Sequence, residues 1–305
     1  MSASIGFIGT GVMGEPMCRN MVEKSGRAMI AFDLDPEPLA RLAEFGVVAA
    51  DSVAAVVRAA ELLVLSLPGG EQLAEVCQGP GGLLENCRAG QTVIDTSTSP
   101  VGLSRELAGR FAELSIDYAD APIARTRQAA IEGTLSIMVG ASDAVFARVE
   151  PLLACCASEV SHCGDVGAGQ VVKLMNNMVL VQTVLALSEA LTIGRRAGLD
   201  GEVLLETLTK GSADSFALRN HGMKALLPGQ FPERAFSTEY AQKDLRYALE
   251  LAAETGVAAS GAENAAQALE ASRQAGFGAN YWPALINVVE QQGHVGPDGN
   301  HQTPS

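Results

Sequence analysis

Over its first half the chain alternates short apolar runs with stretches whose apolar residues recur every three or four positions. Residues 5–8, 28–32, 62–67, 92–95, 116–118 and 135–139 read as strands, and segments such as 52–60 and 103–113 read as amphipathic helices between them. This alternation predicts parallel strands joined by crossover helices on both faces of a sheet, a doubly wound α/β Rossmann domain over residues 1–164. The period then changes. From 170 to 197 there is no proline and no glycine but Gly194, and Val171, Leu174, Met178, Val181, Leu185 and Leu191 recur at helical spacing. One long interdomain helix is expected over 165–196. An all-helical domain follows over 197–292, with helices expected at 202–209, 241–254 and 263–275 and no strand. The polar stretch 293–305 reads as a disordered tail.

Gly9-Thr10-Gly11-Val12-Met13-Gly14 stands between the first strand and the first helix. The first glycine permits a tight turn, the second lets backbone approach a pyrophosphate, and the third lets helix and strand pack, while the amides at the helix start attract the anion. Asp33 closes the second strand, where an acidic side chain accepts hydrogen bonds from the adenosine ribose and repels a 2′-phosphate. NAD is therefore expected over NADP, with Arg41 on the next helix leaving a path to mixed specificity. Leu67 and Pro68, and Ser97 with Thr98, follow strands at the carboxyl ends where open parallel sheets bind ligands. Thr98 could reach the nicotinamide ribose or carboxamide; Ser97 and Thr98 read equally well as helix caps before Pro100.

Charge narrows the partners. With 35 acidic against 21 basic residues and a net charge of -14, the surface repels polyanions, so neither nucleic acid nor an anionic membrane is expected as a partner, and any cationic site must be local. The six cysteines show no Cys-x-x-Cys pair and no zinc-type spacing, so no metal is expected and scattered thiols suit a reducing compartment. With no basic leader and no apolar run judged long enough to span a bilayer, a cytoplasmic protein is expected.

Lys173, Asn176 and Asn177 share the opening turns of the long helix, three or four residues apart, so one face can carry a lysine and an amide towards a substrate. Hydride transfer to a carbonyl makes an alkoxide that needs a proton, which an ammonium can supply while stabilising the charge. Taken alone, Lys173 reads as a lysine snorkelling from a surface helix.

Four ordered motifs together change that reading: Gly9-Thr10-Gly11-Val12-Met13-Gly14-Glu15-Pro16-Met17, Asp120-Ala121-Pro122-Ile123 with Gly133-Thr134-Leu135, the run from Gly167 to Asn177, and Lys243-Asp244-Leu245. The chain resembles the β-hydroxyacid dehydrogenases, the family of 3-hydroxyisobutyrate dehydrogenase and tartronate semialdehyde reductase, from Ile5 through Gln292. The resemblance implies a homodimer or homotetramer, Lys173 as catalytic acid/base, Asn177 as its substrate-orienting neighbour, and Lys243 closing over the nicotinamide end. Without the family, Lys243 reads as an exposed lysine paired with Asp244 or a nearby glutamate. Imine reduction on the same scaffold fits less well, because those relatives generally lack the lysine. A non-catalytic nicotinamide-binding regulator is opposed by the retained Lys173, Asn177 and Lys243.

One segment departs from the family pattern. Most members carry Ser-Gly-Gly after the Asp-x-Pro-Val element, to hold a carboxylate; here Ala124-Arg125-Thr126 stands instead. Arg125 offers a planar fork of donors suited to carboxylate, phosphate or sulfonate oxygens. The Arg-Thr pair resembles the sulfolactaldehyde reductases, which implies that Arg125 and Thr126 anchor a small anionic aldehyde or its hydroxy acid. Arg127 either enlarges the positive site or points to solvent. A carboxylate substrate, tartronate semialdehyde or methylmalonate semialdehyde, is the alternative.

Overall fold

The computed structural model describes residues 4–233 and 235–291. The chain divides into two compact units between Leu174 and Met175. In the first unit β1 (Ile5–Ile8), β2 (Met29–Phe32), β3 (Val48–Ala49), β4 (Leu62–Leu65), β5 (Thr92–Asp95) and β6 (Asp117–Asp120) lie parallel in the order β3-β2-β1-β4-β5-β6. This is the doubly wound order of a dinucleotide-binding sheet, reversing direction between β1 and β4. β1, β4 and β5 are buried throughout, because helices cover both faces, and so they read as continuous apolar runs. The helices are α1 (Gly14–Ser25), α2 (Pro36–Ala43), α3 (Val53–Ala59), α4 (Gly70–Gln78), α5 (Leu83–Asn86) and α6 (Val101–Glu113). Two apolar clusters form the core, one built around Phe7, Met17 and Met21 and one around Leu63, Leu73 and Phe111.

Beyond β6 the sheet continues irregularly. One edge of β8 (Leu135–Gly140) meets the end of β6 and then β7 (Ile123–Ala124), both antiparallel; β9 (Ala157–Gly164) pairs with β8 in parallel. The short α7 (Arg127–Glu132) joins β7 to β8, and α8 (Asp143–Leu153) joins β8 to β9. The apolar pattern signals none of β3, β7 and β9. β3 and β7 are two residues long, and β9, largely exposed, carries no apolar alternation; it is made by backbone pairing with β8. The strand expected at 62–67 ends at Leu65, where Ser66 and Leu67 turn into a loop.

A single helix, α9 (Ala168–Arg196), runs out of the first unit and into the second. By length and composition it could cross a bilayer, with a mean hydropathy of 1.4 over its most apolar stretch, which corrects the expectation that no such run exists. That stretch is 44% buried inside the protein. The second unit contains α10 (Gly201–Leu208), α11 (Thr238–Glu254), α12 (Ser260–Ser272) and α13 (Ile286–Gln291) around a core that includes Leu205, Leu245, Leu269 and Trp282. Two wider π-helical stretches, Leu218–Leu226 and Arg273–Phe277, were not foreseen from the 3.6-residue period. The tail expected to be disordered, 293–305, lies outside the described residues.

Candidate functional site

At the first strand-to-helix turn the three glycines have three different surroundings. Gly9 has φ +94°, a left-handed conformation that favours glycine, and a Cβ there would collide with the Ser66 carbonyl. A Cβ on Gly14 would collide with the Gly9 carbonyl. A Cβ on Gly11 would meet no protein atom within 4 Å. Two glycines therefore serve the packing of the turn, and the third leaves an open cradle beside a helix start that has no side-chain cap. That cradle fits a dinucleotide pyrophosphate. Val12 beside it is 54% exposed, while Met13 is half-buried against the core. Asp33 accepts the amides of Thr10 and, at 2.9 Å, of Asp35, so its carboxylate is tied to the glycine turn. Arg41 is engaged by Glu15 in a two-pronged pair at 2.6 and 2.9 Å.

The loops after β4 and β5 are joined to one another. The Leu67 amide donates to Ser97 Oγ at 3.0 Å, and the Ser97 amide donates to Asp95 Oδ1 at 2.9 Å. Ser97 therefore does not cap α6, whose N-cap position is held by Pro100, with no side-chain cap; Thr98 is half-buried and Pro68 exposed. Asp95 is wholly buried, and burial pushes its carboxyl up to about 7, against hydrogen bonds from Ser97 and Tyr118 that favour the charged form. Its neighbour in register on β6, Asp120, is also buried and is pushed up to about 6 by burial, opposed by amide hydrogen bonds.

Asp120 holds the start of α9: Gly167 N donates to Oδ1 at 2.6 Å and Gln170 N to Oδ2 at 2.8 Å. One turn later comes Lys173, 9% exposed. In the second unit Asn177 is 4% exposed and donates from Nδ2 to Asp244 Oδ2 at 2.6 Å, while Asn176 donates to Asn177 Oδ1 at 3.0 Å. Lys243 Nζ lies 3.1 Å from Asp244 Oδ1 and within 5.6 Å of the ring centres of Tyr240 and Tyr247. The lysine pairs with Asp244, yet its side chain is mostly buried, not surface-exposed. Asn176, Asn177, Asp244 and Lys243 thus form one connected polar group.

Arg125 is placed differently. It has φ +84°, and its Nη1 donates to the Thr134 carbonyl at 2.6 Å and to Ser158 Oγ at 2.8 Å, tying β7 to the neighbouring β8 and β9. Both bonds use one nitrogen, and the side chain is exposed. Thr126 caps α7, its hydroxyl accepting the Ala129 amide, and Arg127 is exposed on the first turn of α7. Asn20, buried on α1, donates to the Ala130 carbonyl at 2.9 Å and so ties α1 to this segment. Sequence reasoning did not single out Asp95, Asp120, Gln170, Asp244 or Asn20 as functional. For the first two a signal existed: β5 and β6 each end in aspartate at the carboxyl edge of a parallel sheet, where ligands bind.

Known proteins share this architecture. A family model described as the NAD binding domain of 6-phosphogluconate dehydrogenase matches residues 4–164, and one described as NAD-binding of NADP-dependent 3-hydroxyisobutyrate dehydrogenase matches 167–289. The 2-(hydroxymethyl)glutarate dehydrogenase of Eubacterium barkeri is 37% identical over 298 residues, 98% of each chain. The 3-hydroxyisobutyrate dehydrogenase of Pseudomonas aeruginosa is 35% identical over 78% of each. A solved 3-hydroxyisobutyrate dehydrogenase of Mycobacterium tuberculosis, with L-serine, is 29% identical at a TM-score of 0.87, covering 95% of this chain and 99% of that one. The chain belongs to the β-hydroxyacid dehydrogenase family and is an NAD(P)-dependent dehydrogenase acting on a hydroxyl group.

Proposed function

We propose that this dehydrogenase is NAD-linked and interconverts a small anionic aldehyde with its hydroxy acid, with Lys173 as proton donor and acceptor and Arg125 reading the anion. The observation that carries the chemistry is a lysine 9% exposed on the first turns of α9, just after a start pinned by Asp120. When bound in the glycine cradle, the cofactor supplies the hydride. Gly11 and Val12, in a turn packed by Gly9, Met13 and Gly14, leave room for its pyrophosphate end, and Leu67, Pro68 and Thr98 follow strands at the sheet edge where its nicotinamide end would bind; the family resemblance adds Lys243 as a further cofactor contact. Lys173 Nζ gives a proton to the oxygen of the aldehyde as that oxygen gains charge, and takes it back in the oxidative direction. Asn177, held by Asp244, orients the carbonyl, with Asn176 beside it. The preference for NAD rests on the Asp33 carboxylate, which repels a 2′-phosphate, and on Arg41 being already engaged by Glu15.

On the family pattern, Arg125 stands at a place usual for glycine. Its two observed bonds use only Nη1, so the guanidinium keeps donors for an oxyanion, and a sulfonate such as that of sulfolactaldehyde suits its fork. Thr126 supplies the adjoining backbone. A carboxylate substrate is the second reading, favoured by the 37% identity to 2-(hydroxymethyl)glutarate dehydrogenase over the full chain; tartronate semialdehyde and 3-hydroxyisobutyrate belong to the same class. The test is initial rates on four compounds: reduction of sulfolactaldehyde and tartronate semialdehyde, and oxidation of 2-(hydroxymethyl)glutarate and 3-hydroxyisobutyrate, each with NAD(H) and NADP(H). Lys173→Ala should lower turnover about 10²–10⁴-fold while NADH still binds. Arg125→Ala should abolish a sulfonate preference. A carboxylate preference unchanged in Arg125→Ala would remove Arg125 from the substrate, and faster rates with NADP(H) would overturn the cofactor assignment.

A homodimer or homotetramer is part of the same proposal. Val172, Val179 and Ile193, spaced at multiples of seven along α9, are 43%, 58% and 66% exposed, an apolar stripe suited to a second copy. A single species of 31.6 kDa in light scattering would remove it.

A further inference from the structure

The buried carboxylates beneath the loops have no part in the proton transfer described above, yet each accepts hydrogen bonds on both of its oxygens. Asp120 is fully buried at the end of β6. Its two oxygens take two amides at the start of α9, Gly167 N and Gln170 N, one each. Two glycines leave room for it: a Cβ on Gly140 would collide with Oδ1, and a Cβ on Gly169 would lie 2.8 Å from Oδ2 and collide with the Met138 carbonyl. The side chain of Gln170 continues the chain of bonds. Its Nε2 donates to the Ser97 carbonyl at 2.8 Å, and its Oε1 accepts the Ser99 amide at 3.2 Å. Ser97 in turn accepts the Leu67 amide on Oγ and donates its own amide to Asp95.

We propose that Asp120 is a positioning residue for Lys173: with Gln170 it locks the first turn of α9 to the loops after β4 and β5, so that the proton donor and the nicotinamide-side backbone at Leu67 and Ser97 are held as one rigid piece. The physical basis is threefold. An ionised carboxylate matches the positive end of a helix and accepts two charge-assisted hydrogen bonds. Burial protects those bonds from water. Gln170, fully buried, spends both ends of its amide on the Ser97–Ser99 loop, leaving Lys173, one helical turn away, little freedom to tilt.

Protonation should loosen the lock locally, with the carboxyl still buried and the fold intact, since the neutral acid keeps one good acceptor and turns its other oxygen into a donor facing an amide. Burial has raised the Asp120 carboxyl to about 6, so the loosening falls on the acid side of neutrality. The titratable groups that interact with it include Asp95 from β5, Tyr118 from β6 and Cys163, next to the end of β9; Lys173 lies one turn along α9, and Arg105 of α6 lies against Gly167.

The inference rests on Lys173 being the proton donor, and the experiment separates the two claims. Asp120→Asn and Gln170→Leu are compared with wild type by hydrogen exchange of the amides from 167 to 174, by NADH binding, and by kcat against pH, using whichever of the four compounds above the wild type turns over fastest. In Asp120→Asn, exchange over 167–174 should rise at least tenfold and kcat fall at least tenfold, with NADH affinity within about twofold of wild type. The low kcat should be flat through the pH range in which the wild type loses activity on acidification. Gln170→Leu, which keeps the carboxylate, should show the loosened exchange and lower kcat but retain the acid limb. Unchanged exchange in Asp120→Asn would overturn the positioning role whatever Lys173 does, and loosened exchange with wild-type kcat and pH profile would overturn its link to catalysis. If NADH affinity and thermal stability collapse together with kcat in both variants, the residues are merely structural and the proposal fails. Retained turnover in Lys173→Ala, by contrast, removes the proton donor and leaves the exchange result standing.

Discussion

Arg125 has a backbone suited to glycine and a side chain that ties three strands together. At φ +84° a non-glycine residue carries strain of about 1–3 kcal/mol. Its guanidinium bonds to Thr134 and Ser158 are exposed, so each offsets only a fraction of that. Truncation to alanine loses the bonds and keeps the strain, whereas glycine loses the same bonds and relieves it. Arg125→Gly should therefore be more stable than Arg125→Ala by about 1 kcal/mol in urea unfolding. Equal stabilities would mean that the loop relaxes around any residue. Retaining arginine at a strained position, where glycine would be easier, is the expected pattern for a side chain with work outside the fold.

Among the elements, the turn from β1 to α1 separates folding from binding glycine by glycine. Gly14 packs against the Gly9 carbonyl, and Gly11 faces open space. Gly14→Ala should destabilise the protein by about 1–3 kcal/mol, as overpacking does. Gly11→Ala should leave the melting temperature near wild type but weaken NADH binding at least tenfold, because its methyl group enters the cradle and not the core. Thermal melts and fluorescence titration distinguish the two, and a Gly11→Ala protein that binds NADH normally would place the pyrophosphate elsewhere. The glycine pattern and Asp33 were readable without a structure, since they belong to one contiguous strand, turn and helix. β9 was not readable: a polar, exposed segment becomes a strand only because β8 offers it an edge.

At the scale of the whole molecule, buried carboxylates make stability depend on pH. Burial raises Asp95 to about 7 and Asp120 to about 6. The folded protein then holds protons that the unfolded chain, with aspartates titrating near about 4, has already released. Stability from these groups is fully present below about pH 4, declines as the pH rises, and is lost above about 7. Asp95→Asn cannot ionise, so its unfolding free energy should change less between about pH 5 and about pH 8 than that of the wild type. Parallel curves for the two proteins would show that Asp95 titrates normally. The net charge of -14 adds self-repulsion in the same direction, which is why the comparison with the variant is needed.

Local pattern carried what lies close together along the chain. Apolar period marked the main parallel strands and the long helix, and the glycine run with Asp33 marked a dinucleotide turn, because each is a property of neighbouring residues. The resemblance that selected Lys173 rested likewise on contiguous motifs. The tertiary structure decided which distant residues meet: Asn20 with the Ala130 carbonyl, Asn177 with Asp244, and Asp120 with Gly167 and Gln170. It also turned Arg125 onto Thr134 and Ser158, partners that no spacing rule connects. The physical reason is that a buried polar group must find a partner wherever the chain brings one, and folding, not sequence distance, sets which groups are within 3 Å.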